Sequence, residues 1–129
     1  MTTVGVGVDV VDVARFALAL ERHPRLARRL FTDAERADAR AQPERLAARF
    51  AAKEAVLKTL RSGMGAAPWR SIEIRRDPNG EPRVRLHGAA ASLAKQCGAR
   101  RFHVSLSHTE TTAVAFVVAS SKKDKSHAR

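Results

Sequence analysis

Two acids and three bases stand where chemistry could happen. Asp9 lies in Val4-Gly5-Val6-Gly7-Val8-Asp9-Val10, and Glu54 lies in Arg49-Phe50-Ala51-Ala52-Lys53-Glu54-Ala55-Val56-Leu57-Lys58. Mg²⁺ is usually held by one or two carboxylates, with substrate phosphates and water completing its shell. Two carboxylates among Arg49, Lys53 and Lys58 therefore suit a magnesium–polyphosphate site, with acids for the metal and bases for the phosphate oxygens. Phosphoryl transfer needs mainly positioning and charge neutralisation, which such a set can provide.

Two elements must position these residues. In 4–10 the valines alternate, so they share one strand face while Gly5, Gly7 and Asp9 share the other. Glycine weakens a strand interior, so the pair predicts something bulky on that face. That is either a ligand, with Asp9 displayed towards it, or a closely packed helix. Pro43 suits a first helical turn and Gly63 and Gly65 follow an end, which predicts a helix over 43–61. Leu46, Phe50, Leu57 and Leu60 then form an apolar stripe about 80° wide, with Lys53 in its middle. Glu54 and Lys58 lie one turn apart on one edge of the stripe and Arg49 lies on the other. A lysine inside such a stripe requires an anionic partner or a route to water.

The other elements read more simply. Residues 12–30 predict a basic helix interrupted near Pro24, with Arg15, Arg22 and Arg29 recurring on one face and Arg25 and Arg28 beside it. This is either a solvated face or a docking surface for an acidic helix. Thr32-Asp33-Ala34-Glu35 has the form of a capping box, which makes Glu35 most simply a cap. Ser62 to Pro68 is a small-residue loop that either approaches a ligand through Gly63 or merely links. The alternating runs around Asp77-Pro78-Asn79-Gly80 predict a hairpin, and 88–96 predicts a helix ended by Gly98. Residues 102–108 and 113–119 predict two strands, the second continuously apolar and so buried. On the first strand His103, Ser105 and Ser107 share a face and His108 turns the other way, which makes His108 the better ligand contact. The basic stretch at 121–129 reads as a frayed tail, leaving 1–120 as a single domain.

The chain has 129 residues, 24 Lys and Arg against 13 Asp and Glu, and a formal charge of +11, which predicts anionic partners. One cysteine, Cys97, suits a reducing compartment. There is no secretory signal pattern and no apolar run long enough for a membrane span, so the expectation is a soluble cytoplasmic protein without membrane partners. No GxSxG elbow surrounds Ser105 or Ser107, which argues against a serine hydrolase. A nucleic-acid-binding module is the competing class. It lacks a helix-turn-helix or zinc pattern, and acids at Asp9 and Glu54 would repel bare nucleic acid.

Taken together, four blocks resemble those of the holo-[acyl-carrier-protein] synthases, the small single-domain branch of the 4′-phosphopantetheinyl transferase superfamily. The blocks are Val4–Val11, Phe31–Glu35, Arg49–Lys58 and His103–Thr109. The resemblance implies Mg²⁺-dependent transfer of 4′-phosphopantetheine from coenzyme A to a serine of acidic apo acyl carrier protein, releasing adenosine 3′,5′-bisphosphate. It implies an α+β fold, an antiparallel sheet packed with a long central helix and shorter helices, and a trimer with active sites at subunit interfaces. Asp9 and Glu54 match the metal ligands, and Lys58 matches the lysine near the reacting phosphate. Arg49 and Lys53 match bases at the coenzyme phosphates, and His108 and the loop at Gly63 match coenzyme contacts. Arg15, Arg22 and the neighbouring Arg25 match the carrier-docking surface. Where larger relatives carry a third acid this chain has Val11, which leaves room for water on the metal, and Leu60-Arg61-Ser62-Gly63 is bulkier than the usual segment. Whether Glu54 or a metal-bound water takes the serine proton is left open.

Overall fold

The computed structural model describes residues 2–121; the tail expected to fray over 121–129 lies, from residue 122 on, outside them. The elements run β1 (Thr3–Asp12), α1 (Val13–Arg22), α2 (Leu26–Leu30), α3 (Asp33–Ala39), α4 (Pro43–Thr59), β2 (Ile72–Arg76), β3 (Pro82–Leu86), α5 (Gly88–Cys97), β4 (Arg101–His108) and β5 (Thr112–Ser120). The strands form two antiparallel sheets, β1-β5-β4 and the hairpin β2-β3. The architecture is α+β as expected, although one sheet was anticipated. Among the described residues no helix is long and apolar enough to cross a membrane.

α4 is the axis. It begins at Pro43 and is buried on most sides, with Ala51, Ala52 and Ala55 without exposed surface. The two β1 glycines explain how close the sheet lies. A Cβ at Gly5 would stand 2.1 Å from Thr59 O, and one at Gly7 2.1 Å from Ala55 O. The bulky object on that face of β1 is thus the α4 backbone, the packing alternative of the two. β5 supports the same layer with Ala113, Ala115, Val117 and Ala119, all fully buried. A second cluster, around Phe16, Phe31 and Leu46, joins α1, α2 and α3 to the start of α4.

The helix ends follow local chemistry. Asp12 Oδ1 accepts from Arg15 N at the start of α1. The helix expected over 12–30 breaks at Pro24 into α1 and α2. Thr32 and Glu35 form both halves of the capping box of α3. The hairpin forms as expected, but across a five-residue loop, Asp77–Glu81. In it Asp77 Oδ1 accepts from Asn79 N and Glu81 N, and Gly80 has φ 85°.

Candidate active site

Antiparallel pairing sets which residues share the inner face of the three-stranded sheet. Gly7, Asp9 and Val11 of β1 pair with Val117, Ala115 and Ala113, which pair in turn with Val104, Leu106 and His108 of β4. Asp9 therefore points at α4, and His108 lies on the same face two strands away, one step further along. On α4 the residues that meet Asp9 are Glu54 and Lys58. Lys58 Nζ donates to Asp9 Oδ1 at 3.0 Å and to Val8 O at 2.8 Å. Glu54 is half-buried beside them. Burial, together with a hydrogen bond to Asp9 and its negative charge, pushes the Glu54 carboxyl up to about 7 against the opposing pull of Lys58. Two acids and a base in contact, with the Glu54 carboxyl moved far from its ordinary range, is a pattern typical of functional sites.

A model of the 4′-phosphopantetheinyl transferase superfamily matches residues 5–117. The chain belongs to this family. A holo-[acyl-carrier-protein] synthase of Frankia alni is 52% identical over 124 residues, covering 94% of this chain and all of its own. Among solved structures, a holo-[acyl-carrier-protein] synthase of Neisseria meningitidis shares 33% identity with TM-score 0.82, covering 93% of this chain and 99% of its own. One from Helicobacter pylori, in complex with coenzyme A, shares 26% identity with TM-score 0.81, covering 89% and 99%.

The chemistry of the acid pair fits a divalent cation. Among the described residues no three His, Cys, Asp or Glu side chains converge as a cage. Asp9 and Glu54 alone suit Mg²⁺, which keeps water and substrate phosphate in its shell, and a carboxyl that still binds a proton near pH 7 is one that a cation would relieve.

The other expected residues scatter. Lys53 lies in the interior. Its ammonium has no exposed surface and donates to Leu30 O at 2.7 Å, Glu35 Oε1 at 2.7 Å and Trp69 O at 3.0 Å. Its three hydrogens are thus all directed at acceptors within the chain. Glu35 is likewise buried: Oε1 also accepts from Thr32 N, and Oε2 accepts from Ile74 N. Of the two outlets the sequence allowed Lys53, an anionic partner or a route to water, it takes the first, and the partner is Glu35, a residue read there as a cap.

Arg49 is also inside, 3% exposed, with Nη1 on Arg45 O and a buried Nε that has no partner among the described residues. Burial lowers its proton affinity, as does the charge of Arg76. It lines a groove of about 490 Å³ between the β2-β3 hairpin and β4, together with Arg76, Arg83 and His103. Gly63 lies exposed on the loop after α4 with no atom within 4 Å of an added Cβ, so its own chain places no demand for glycine there. His108 is exposed and shares a shallow depression with Glu44, Thr109 and Glu110. Arg15, Arg22 and Arg25 are exposed on α1 and the turn after it.

Proposed function

We propose that this protein transfers the 4′-phosphopantetheine of coenzyme A to a serine of apo acyl carrier protein, with residues 1–120 as one catalytic domain. The observation that carries the reading is the convergence of Asp9, Glu54 and Lys58 at the contact of β1 with α4. When bound to Asp9 and Glu54, Mg²⁺ would neutralise the diphosphate oxygens and fix their orientation for in-line attack. Lys58 donates to the diphosphate as charge develops on the leaving oxygen. The serine proton passes to Glu54 or to a water at the site as the Oγ–phosphorus bond forms, and the bond from that phosphorus to adenosine 3′,5′-bisphosphate breaks. Replacing Asp9 with Ala should abolish transfer while leaving the circular dichroism spectrum unchanged; an Asp9→Ala protein with wild-type turnover would remove the acid pair from the mechanism.

The coenzyme site is completed by another copy of the chain, in a homotrimer with interface active sites. Arg49 and Glu54 project about 140° apart around α4, so the basic groove and the acid pair do not face one diphosphate from within one chain. The outer face of the three-stranded sheet supports the assembly: Val6, Val8, Val10 and Phe116 are 53%, 50%, 63% and 46% exposed. His108 and the loop at Gly63 are further coenzyme contacts in this reading.

The carrier protein docks on α1. Arg15 and Arg22 flank Leu18, which is 43% exposed, and Arg25 borders the adjoining hollow of about 530 Å³ with Pro24 and Leu26. An apolar centre with a cationic rim suits an acidic amphipathic helix. We place the reaction in fatty acid biosynthesis in the cytoplasm, in keeping with the unpaired Cys97.

A further inference from the structure

Without a coenzyme, the acid pair already has a cation. Lys58 Nζ lies on Asp9 Oδ1 and on the backbone oxygen Val8 O, at 3.0 and 2.8 Å. Its side chain is 52% exposed while that of Asp9 is 15% exposed, so the base can leave and the acid cannot. A lysine built only to meet phosphate would project into solvent. This one turns inward and takes two acceptors, one of them a carbonyl, which makes a defined resting position. A divalent ion on Asp9 and Glu54 needs the same Asp9 lone pairs, and two cations do not share one carboxylate cheaply.

We propose, on the transferase reading above, that Lys58 is a tethered stand-in for the divalent cation. It holds Asp9 in the coenzyme-free protein, yields when the metal enters, and re-seats on the coenzyme diphosphate. Metal alone must break the Lys58–Asp9 contact and return the ammonium to water. Metal arriving with a diphosphate gives that ammonium a new anionic partner, and charge-assisted contacts of this kind are strong. The metal and coenzyme A therefore bind cooperatively through Lys58, and the coupling is reciprocal. The same movement keeps the site from holding a bare divalent ion tightly between turnovers.

The test is metal binding, not turnover. Mn²⁺ is titrated by electron paramagnetic resonance into wild-type protein, Lys58→Met and Lys58→Arg, with and without coenzyme A. Without coenzyme A, Lys58→Met should bind Mn²⁺ about fivefold more tightly than wild type, the scale of one exposed ion pair, and Lys58→Arg should not. The enhancement of Mn²⁺ binding by coenzyme A should shrink in Lys58→Met. In wild type the ¹⁵N ammonium signal of Lys58 should move on adding Mg²⁺ alone and move again with coenzyme A. Equal Mn²⁺ affinity in wild type and Lys58→Met, or an ammonium signal unmoved through the Mg²⁺ titration, overturns the proposal. Failure of the wild type to modify an apo carrier protein overturns the transferase reading instead, and the two results are separable.

Discussion

Lys53 and Glu54 are neighbours in sequence with opposite surroundings. A 100° step around α4 takes the first into the interior, against Glu35, and the second to the edge of the sheet, beside Asp9. Lys53→Ala would leave Glu35 buried with one of its donors lost, and such changes cost about 3–5 kcal/mol. Denaturant unfolding should show a loss of this size. A variant of unchanged stability, impaired only in coenzyme A affinity, would return Lys53 to the phosphates. At Glu54 the folded protein holds a proton more firmly than the unfolded chain, whose carboxyl titrates near 4.5. The resulting stabilisation is complete below about 4.5 and is lost as pH rises through about 7. Metal-free protein should therefore lose Tm over this window relative to Glu54→Gln, and added Mg²⁺ should raise Tm more at pH 8 than at pH 6. An Mg²⁺ effect independent of pH would contradict the raised Glu54 carboxyl. Much of this was legible in the sequence: a lysine in an apolar stripe demands an acid. The identity of that acid was not, because Glu35 reaches Lys53 across a contact between helices 18 residues apart.

At the scale of elements, β1 and α4 are fitted backbone to backbone. Gly7→Ala would place its Cβ 2.1 Å from Ala55 O, and relieving that clash would move both acids' supports. A cost of about 3 kcal/mol or more is expected, with transfer falling alongside stability; a Gly7→Ala protein of normal Tm would show that the contact is looser than described. The end of α4 carries the reverse opportunity. Ser62 N bonds Leu57 O and Arg61 N bonds Lys58 O, with Arg61 at φ 55°. This is the Schellman arrangement that α5 closes with Gly98 at φ 76°. Arg61→Gly should stabilise the protein by about 1 kcal/mol, read as a raised midpoint in urea. The alternating valines and the paired glycines gave away the close-packed strand. The bulkier Leu60-Arg61-Ser62-Gly63 segment gave no sign that an arginine would occupy the left-handed position, since the local pattern does not encode φ.

At the scale of the whole molecule, the outer face of the three-stranded sheet carries an exposed apolar row. The sequence read β5 as buried throughout because its apolar run is unbroken. In one chain, however, Phe116 stays 46% exposed in a row with Val8 and Ser105. Alternation in β1 told which residues share a face, and only the position of α4 told which face is covered. A row of this kind is consistent with burial against another copy. If the proposed interface site holds, Val8→Asp should give a smaller species in light scattering and reduce transfer, the groove of Arg49 no longer reaching an acid pair of another copy. A stable, active monomer would dismiss the interface site. The basic α1 surface belongs to the same scale. Arg22→Glu should raise KM for the carrier protein and leave KM for coenzyme A unchanged. The central claim rests on chemistry that one experiment reads directly: intact-mass analysis of an apo acyl carrier protein incubated with this protein, coenzyme A and Mg²⁺, alongside a chelated control. The account predicts a gain of one phosphopantetheine, absent with chelator and absent with Asp9→Ala. An unmodified carrier protein under the complete conditions, or a gain indifferent to both controls, would contradict it.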